Sequence, residues 1–267
     1  MGEQRPSYAA RLQSLGTKLR VLEALAVRDM MRRYGRGNLG FLWVLLEPMI
    51  LTIGVMLIWS VAKGEQEHGI EIIAFVLTGY MPLTLWRHMT NGGVFLLRSN
   101  SALLYHRNIS LFDVFVGRML LEFAGTTAAL IVVASTLLAL GLTRPPHNIG
   151  LVALGWLMMG SLAFSCALFF CIATEYSEIW ERFVQPFQYL MLPLSGCFYM
   201  VDWLPTAAQD LMLLNPTVHC FEVFRAGYLG EHVVTHYWVW YPFAWALGLL
   251  ALGLRALEAT AARLRLD

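Results

Sequence analysis

Residues 123–143 read FAGTTAALIVVASTLLALGLT, and residues 145–174 read PPHNIGLVALGWLMMGSLAFSCALFFCIAT. Neither run contains Asp, Glu, Lys or Arg. A bilayer's hydrocarbon layer is about 30 Å thick and a helix rises about 1.5 Å per residue, so roughly 20 apolar residues cross it. Both runs reach that length. Outward from them, 183–201 and 232–254 are equally free of charge, 41–62 is interrupted only by Glu47, and 70–86 is short and carries Pro82. The expected fold is all-α: a polytopic membrane protein, one domain over 1–267, with transmembrane helices at 41–62, 70–86, 120–143, 147–174, 183–201 and 233–254.

Composition agrees. Of 267 residues, 58% are hydrophobic and 14% charged, against about 25% charged in a soluble domain. The net charge of +1 gives no footprint for nucleic acid. Segments 1–40, 87–122, 175–182 and 255–267 hold 16 of the 19 basic residues, leaving Lys63, Arg144 and Arg225 for the other side. By the positive-inside rule both termini face the cytoplasm. Tyr237, Trp238, Trp240 and Tyr241 form an aromatic belt at the outer end of the last span, which gives the same orientation. The first 30 residues show no secretory signal. Cys166, Cys171, Cys197 and Cys220 lack metal-ligand or C-x-x-C spacing and read as packing residues.

Four regions exceed the needs of a plain bundle. Leu12, Leu15, Leu19 and Leu22 draw an apolar stripe along an N-terminal helix within 1–40, suited to the cytoplasmic membrane surface or to a soluble partner. Arg28, Arg32, Arg33 and Arg36 crowd the approach to the first span; they serve as a positive-inside anchor or as an anion site, and the anchor is the simpler reading. Glu47 precedes Pro48 in the first span, where it either lines a cavity beside Trp43 or sits hydrated near the membrane surface. The cytoplasmic segment 97–113 carries Leu103, Leu104, Tyr105, His106, Arg107 and Asn108, apolar and aromatic groups that call for a covering partner. Finally, 203–230 contains two short apolar stretches parted by Asn215 and Pro216. They read as a re-entrant helix pair or a surface lid, with Glu222 and Arg225 spaced to pair on one helix face.

The run GNLGFLWVLLEP at 37–48 resembles the entry to the first span in ABC-2 type permeases, especially those exporting capsular polysaccharide and O-antigen, the KpsM and Wzm families. NPTVHCFEVFR at 215–225 is similar to the short helices before the last span in the capsule branch, and 98–113 occupies the place of that family's coupling segment. The resemblance covers essentially the whole chain.

The resemblance implies an inner-membrane permease moving a lipid-linked acidic polysaccharide. Two copies of the chain pair around a channel, two cytoplasmic ABC ATPase subunits dock through Leu103–Asn108, and a periplasmic polysaccharide co-polymerase receives the polymer. ATP and magnesium belong to the ATPase, because this chain has no G-x-x-x-x-G-K-[ST] loop and needs no cofactor of its own. On this reading Arg32, Arg33 and Arg36 collect the acidic end of the substrate. Trp43, Glu47, Tyr80, Trp86, Phe187, Tyr189, Phe198 and Tyr199 are channel-lining candidates, since aromatic faces stack weakly on sugar rings. Asn215, Pro216, His219, Glu222 and Arg225 form a re-entrant gate. The competing readings are an O-antigen or teichoic acid exporter, a membrane-embedded enzyme acting on lipid-linked sugar, and a passive envelope scaffold. For the enzyme, the sequence offers no catalytic site: no metal-ligand spacing and no nucleophile arrangement.

Overall fold

A computed structural model of the chain describes residue 28 and residues 39–63, 66–67, 69–94, 96 and 110–264. The N-terminal leucine stripe, Arg32, Arg33, Arg36, the segment Leu103–Asn108 and the side chain of Trp43 lie outside the described residues.

The described chain is mostly helical. Helix α1 (Leu39–Lys63) leads through two two-residue strands, β1 (Gln66–Glu67) and β2 (Ile70–Glu71), into α2 (Ile72–Gly93). Then follow α3 (Leu111–Ala139), α4 (Ile149–Tyr176), α5 (Glu178–Leu194), α6 (Thr206–Met212), α7 (Pro216–Leu229) and α8 (Trp240–Leu264), with 3-10 turns at Val201–Trp203 and Gly230–His232. The strands pair antiparallel, Gln66 with Glu71 and Glu67 with Ile70.

Among the described residues, α3, α4 and Trp240–Ala259 of α8 are long and apolar enough to cross a membrane, and α1 contains a shorter apolar stretch, Leu46–Ala62. Helix α4 is the axis: α2, α7 and α8 all pack along it, and most of its apolar length is buried. Helices α3 and α8 keep broad apolar faces open, with Ile131 at 62% and Leu247 at 67% exposure. In water such faces would be a liability; in hydrocarbon they are the natural outer surface.

Local chemistry sets the ends. Ser110 and Asp113 form a capping box, Asp113 N donating to Ser110 Oγ (3.0 Å) and Ser110 N to Asp113 Oδ2 (3.1 Å), so α3 starts nine residues before the expected span. Asn148 Oδ1 accepts from Leu151 N to open α4. Ser177 terminates α4 and caps α5 by accepting from Ile179 N at 3.2 Å, which reduces the expected 175–182 connection to a single residue. Pro48 lies inside α1, and Thr52 Oγ1 donates back to its carbonyl at 2.7 Å.

Two glycines bring α7 onto α4. A methyl at Gly155 would meet Phe224 N at 2.7 Å, and one at Gly227 would meet Val152 N at 2.4 Å. The matched positions run in opposite directions, so α7 lies antiparallel against the first turns of α4. Its end at Leu229 sits beside the α3–α4 connection, where His147 N donates to Tyr228 O and Asn148 N to Gly227 O. Strands β1 and β2 and the connections 140–148, 195–205 and 230–239 thus gather at one end of the bundle, the hairpin end.

Besides these shifted ends, and the second expected span, 70–86, which opens in β2 and runs on as α2 to Gly93, two expected spans are only partly helical. The run 183–201 is not one helix: α5 stops at Leu194 after 17 residues, about 26 Å, and the chain turns through Gly196 at φ +90°. The run 233–254 is helical only from Trp240. In both stretches the backbone finds side-chain partners from α7 in place of a helical ladder.

Candidate functional site

Helix α2 lies inside the bundle, with Leu77, Met81, Leu85, Trp86 and Met89 all at 3% exposure or less. Its partly open residues include Tyr80, Arg87, His88 and Asn91. Together with Thr84 they fall at positions i, i+4, i+7 and i+11 from Tyr80, one face of a helix, with His88 beside it. A polar stripe on a helix otherwise wrapped in apolar contacts needs a polar neighbour or water.

Glu47 and Leu51 of α1 complete a cleft of about 150 Å³ with Tyr80, Leu83, Thr84, Arg87, His88 and Asn91. Helix α5 stands on the other side. Gln188 Nε2 donates to Thr90 Oγ1 and Asn91 Oδ1, each at 2.9 Å, and Gln185 Nε2 donates to Asn91 Oδ1 at 3.2 Å. The Arg87 guanidinium lies 5.8 Å from the centre of the Tyr189 ring. Helices α1 and α5 make no extensive contact with each other. Among the described residues, then, α1 lines the cleft and α5 is bonded to the same polar face of α2 at Thr90 and Asn91; this face with its two neighbours is here called the lane.

Behind the floor is a buried charge cluster. Arg118 Nη2 lies 2.6 Å from Glu122 Oε1, and His88 Nδ1 lies 3.6 Å from Glu122 Oε2. The Arg118 and Glu122 side chains are 9% and 4% exposed. A carboxylate this deep requires a cation partner, and the same carboxylate anchors His88 and so ties α3 to the polar face of α2.

The channel candidates divide. Glu47 and Tyr80 line the cleft, and Tyr189, at 60% exposure, lies outside its lining but beside the Arg87 guanidinium. Trp86, at 3%, belongs to the core and meets Phe187 at 6.2 Å between ring centres, so it does not line an open surface. Phe198 stacks on Trp59 at 5.7 Å in an aromatic cluster at the hairpin end that also holds Phe75 and Trp203. Tyr199 offers its main-chain carbonyl to Arg225. The sequence reading missed Arg87, His88, Asn91, Arg118, Glu122, Gln185 and Gln188. A search for charge-free runs ends the second span at Trp86, where this polar stripe becomes charged; helical spacing from Tyr80 would have exposed it.

The residues expected to form a gate cluster around α7. Asn215 caps the helix, its Oδ1 accepting from Thr217 N (3.1 Å) while its Nδ2 donates to Leu194 O (2.9 Å), and Pro216 takes the first helical position. His219, fully buried, donates from Nε2 to Leu213 O (2.8 Å), accepts the Trp238 amide on Nδ1 (3.1 Å) and stacks on the Trp238 ring. Both ring nitrogens are engaged in the neutral form, and burial pushes the imidazole below its usual range despite the Leu213 bond.

Glu222 and Arg225 share the expected face and are electrostatically coupled, but each bonds flanking backbone and not the other. Glu222 accepts from the amides of Val201 (3.2 Å) and His236 (2.9 Å). Arg225 donates from Nη1 to Gly196 O (2.7 Å) and Tyr199 O (2.5 Å), and from Nη2 to Cys197 O (2.6 Å), with its guanidinium 4.5 Å from the Phe75 ring centre. The three-residue spacing places both on one face of α7, but that face meets non-helical backbone whose amides and carbonyls have no helical partners. Gly79 admits the turn onto α2: a methyl there would meet Cys197 O at 2.4 Å.

The ABC-2 type transporter family model matches residues 20–229. The chain is 38% identical over 242 residues to the capsule polysaccharide export inner-membrane protein CtrC of Neisseria meningitidis serogroup B, covering 91% of each chain. It is 34% identical to the capsule polysaccharide export inner-membrane protein BexB of Haemophilus influenzae, again over 91% of each. To the polysialic acid transport protein KpsM of Escherichia coli it is 25% identical, covering 81% of this chain and 85% of that one.

Proposed function

The chain belongs to the ABC-2 type transporter family, and from that premise we propose that it is the inner-membrane permease of an ATP-driven exporter of capsular polysaccharide. The observation that carries the reading is the lane: a polar face of α2 from Tyr80 to Asn91, bordered by α1 at a cleft and by α5 through Gln188 and Tyr189, inside an otherwise apolar helical bundle. A hydrated polymer cannot dissolve in hydrocarbon. It needs a surface of hydroxyls, amides and a few charges that replaces water without holding any one sugar tightly, and Tyr80, Arg87, Asn91 and Tyr189 are such groups.

In this proposal α1, α2, α3, α4, α5 and α8 cross the membrane, both termini are cytoplasmic, and α6–α7 form a re-entrant pair at the periplasmic hairpin end. A second copy of the chain covers the lane and closes a channel. Arg32, Arg33 and Arg36 gather the acidic end of the lipid-linked polymer at the cytoplasmic entrance. Two ABC ATPase subunits, which supply the ATP and magnesium chemistry, dock on Leu103–Asn108, and their closure shifts α2 and α3 on either side of that segment. The clamp of His219, Glu222 and Arg225 holds the outer mouth, where a periplasmic export protein takes over the polymer.

The test is complementation. A capsule-producing bacterium lacking its own export permease receives this chain together with its cognate ATPase, and surface polysaccharide is measured. Restored surface capsule that falls when Arg87 and Asn91 are both replaced by alanine supports the reading. A chain that inserts and binds the ATPase yet restores no capsule refutes it.

A further inference from the structure

Glu47 of α1 and Arg87 of α2 line the same cleft, toward the end of the bundle opposite the hairpin end. Arg87 stands about 9 Å before the end of α2. Among the described residues, no hydrogen bond or ion pair reaches the Glu47 carboxylate or the Arg87 guanidinium, and Arg87 Nε is shielded from solvent without an acceptor. Two opposite charges thus face one cleft, and neither is spent on the protein.

Their neighbours are already committed. His88 Nδ1 lies 3.6 Å from Glu122, which holds Arg118 at 2.6 Å. Thr84 Oγ1 donates to Tyr80 O at 2.8 Å. Asn91 Oδ1 accepts from Gln185 and Gln188, which leaves its Nδ2 to donate. A charge set within a bundle and left unpaired must be answered by water or by a ligand.

We propose that Arg87 is the residue that selects for acid groups on the passing polymer: its guanidinium takes a carboxylate or phosphodiester carried by the sugar, while Glu47 accepts hydrogen bonds from ring hydroxyls. The guanidinium fork matches carboxylate and phosphate oxygens alike, and Asn91 adds a donor on the same helix face. Glu47 repels an acid and welcomes a hydroxyl, so the two charges set the orientation of each sugar unit, acid toward α2 and hydroxyls toward α1. A neutral unit leaves the guanidinium without a counter-charge, and a cationic unit brings like charge against it. The inference rests on the exporter reading and names the residue that discriminates by charge. Arg32, Arg33 and Arg36 gather the acidic end at the entrance, whereas Arg87 meets the acidic units within the lane.

The experiment is equilibrium dialysis of the full-length protein, with its cognate ATPase in nanodiscs, against four hexasaccharides. These are a sialic acid hexamer, the same hexamer with its carboxyls reduced to alcohols, a mannose hexamer joined by phosphodiesters, and a glucosamine hexamer. Alanine at Arg32, Arg33 and Arg36 in every sample takes the entrance out of the measurement. One of the two acidic hexamers binds about tenfold or more tighter than the reduced one, as a charge-assisted contact provides, and which of them does so tells carboxylate from phosphate. Arg87→Gln abolishes that preference, and Arg87→Lys, which keeps the charge without the fork, retains part of it. An acid preference that persists in Arg87→Gln, a lysine variant with none, no preference in the parent, or tightest binding of the glucosamine hexamer overturns the proposal. A chain that restores capsule in cells yet shows no preference dependent on Arg87 sinks this inference alone and leaves the export function standing. One that reads acid through Arg87 yet restores no capsule refutes export and keeps the site.

Discussion

Replacing Arg225 with alanine removes the donors for three main-chain carbonyls at once. Gly196 O, Cys197 O and Tyr199 O lie 2.5–2.7 Å from the guanidinium nitrogens, and the side chain is fully buried. Each bond from a charged donor contributes roughly 1.5–3 kcal/mol, but the three share one group, and a small cavity admits some water. Breaking a buried charged contact on one side costs about 3–5 kcal/mol. For a chain of this size that lowers the melting temperature by about 10 °C. Arg225→Lys keeps the charge but loses the fork that reaches separate carbonyls, so it falls between wild type and alanine. Adding Glu222→Ala to Arg225→Ala costs less than the sum of the two single changes, because no buried carboxylate then remains beside an emptied site. The assay is thermal unfolding of detergent-solubilised protein followed by tryptophan fluorescence. A lysine variant as stable as wild type, or an alanine variant within 2 °C or so of it, would refute the reasoning, since the carbonyl contacts would then carry no weight.

Other outcomes follow from the same structure. Gly155→Leu forces α7 away from α4 and lowers folded yield sharply, whereas Gly54→Ala, with nothing within 4 Å of the added methyl, leaves yield unchanged; both are read by size-exclusion chromatography. Ser110→Ala removes half of the capping box at the start of α3 and destabilises by about 1 kcal/mol, measured by thermal unfolding. Alanine at Arg32, Arg33 and Arg36 together reduces surface capsule while ATPase association, measured by co-purification, persists; unchanged capsule would remove these arginines from the route. Reversing charge with Arg107→Glu weakens ATPase association, and undiminished co-purification would place the coupling surface elsewhere.

The helical character of the chain was legible from charge-free runs alone, because hydrocarbon imposes one length and one composition on any helix that crosses it. That signal is strong in α3 and α4 and fails where a helix carries polar work. The second expected helix ended at Trp86 because Arg87 follows, yet α2 continues to Gly93 with Arg87 and Asn91 on the stripe begun by Tyr80. The run 183–201 looked continuous because composition does not register that Gly196 turns the chain or that Arg225 receives its carbonyls. Asn215, Pro216, His219, Glu222 and Arg225, expected to act together, all lie at the cap of or within α7. The spacing of the last two predicts their shared face and their coupling, whereas their hydrogen-bond partners, in the backbone after α5 and before α8, leave no trace in local spacing. Arg118 and Glu122 are four apart on α3, a pairing that helical spacing announces, but His88 comes from α2, and no local pattern brings it to the same carboxylate.

A helix supports its own carbonyls with amides four residues along; the turn after α5 borrows that support from a side chain up to 29 positions downstream. Its shape is therefore indexed to the axial position of α7. Gly155 and Gly227 fix that position against α4, so the contact that seats one helix on another also sets, through a single guanidinium, the course of backbone that belongs to neither.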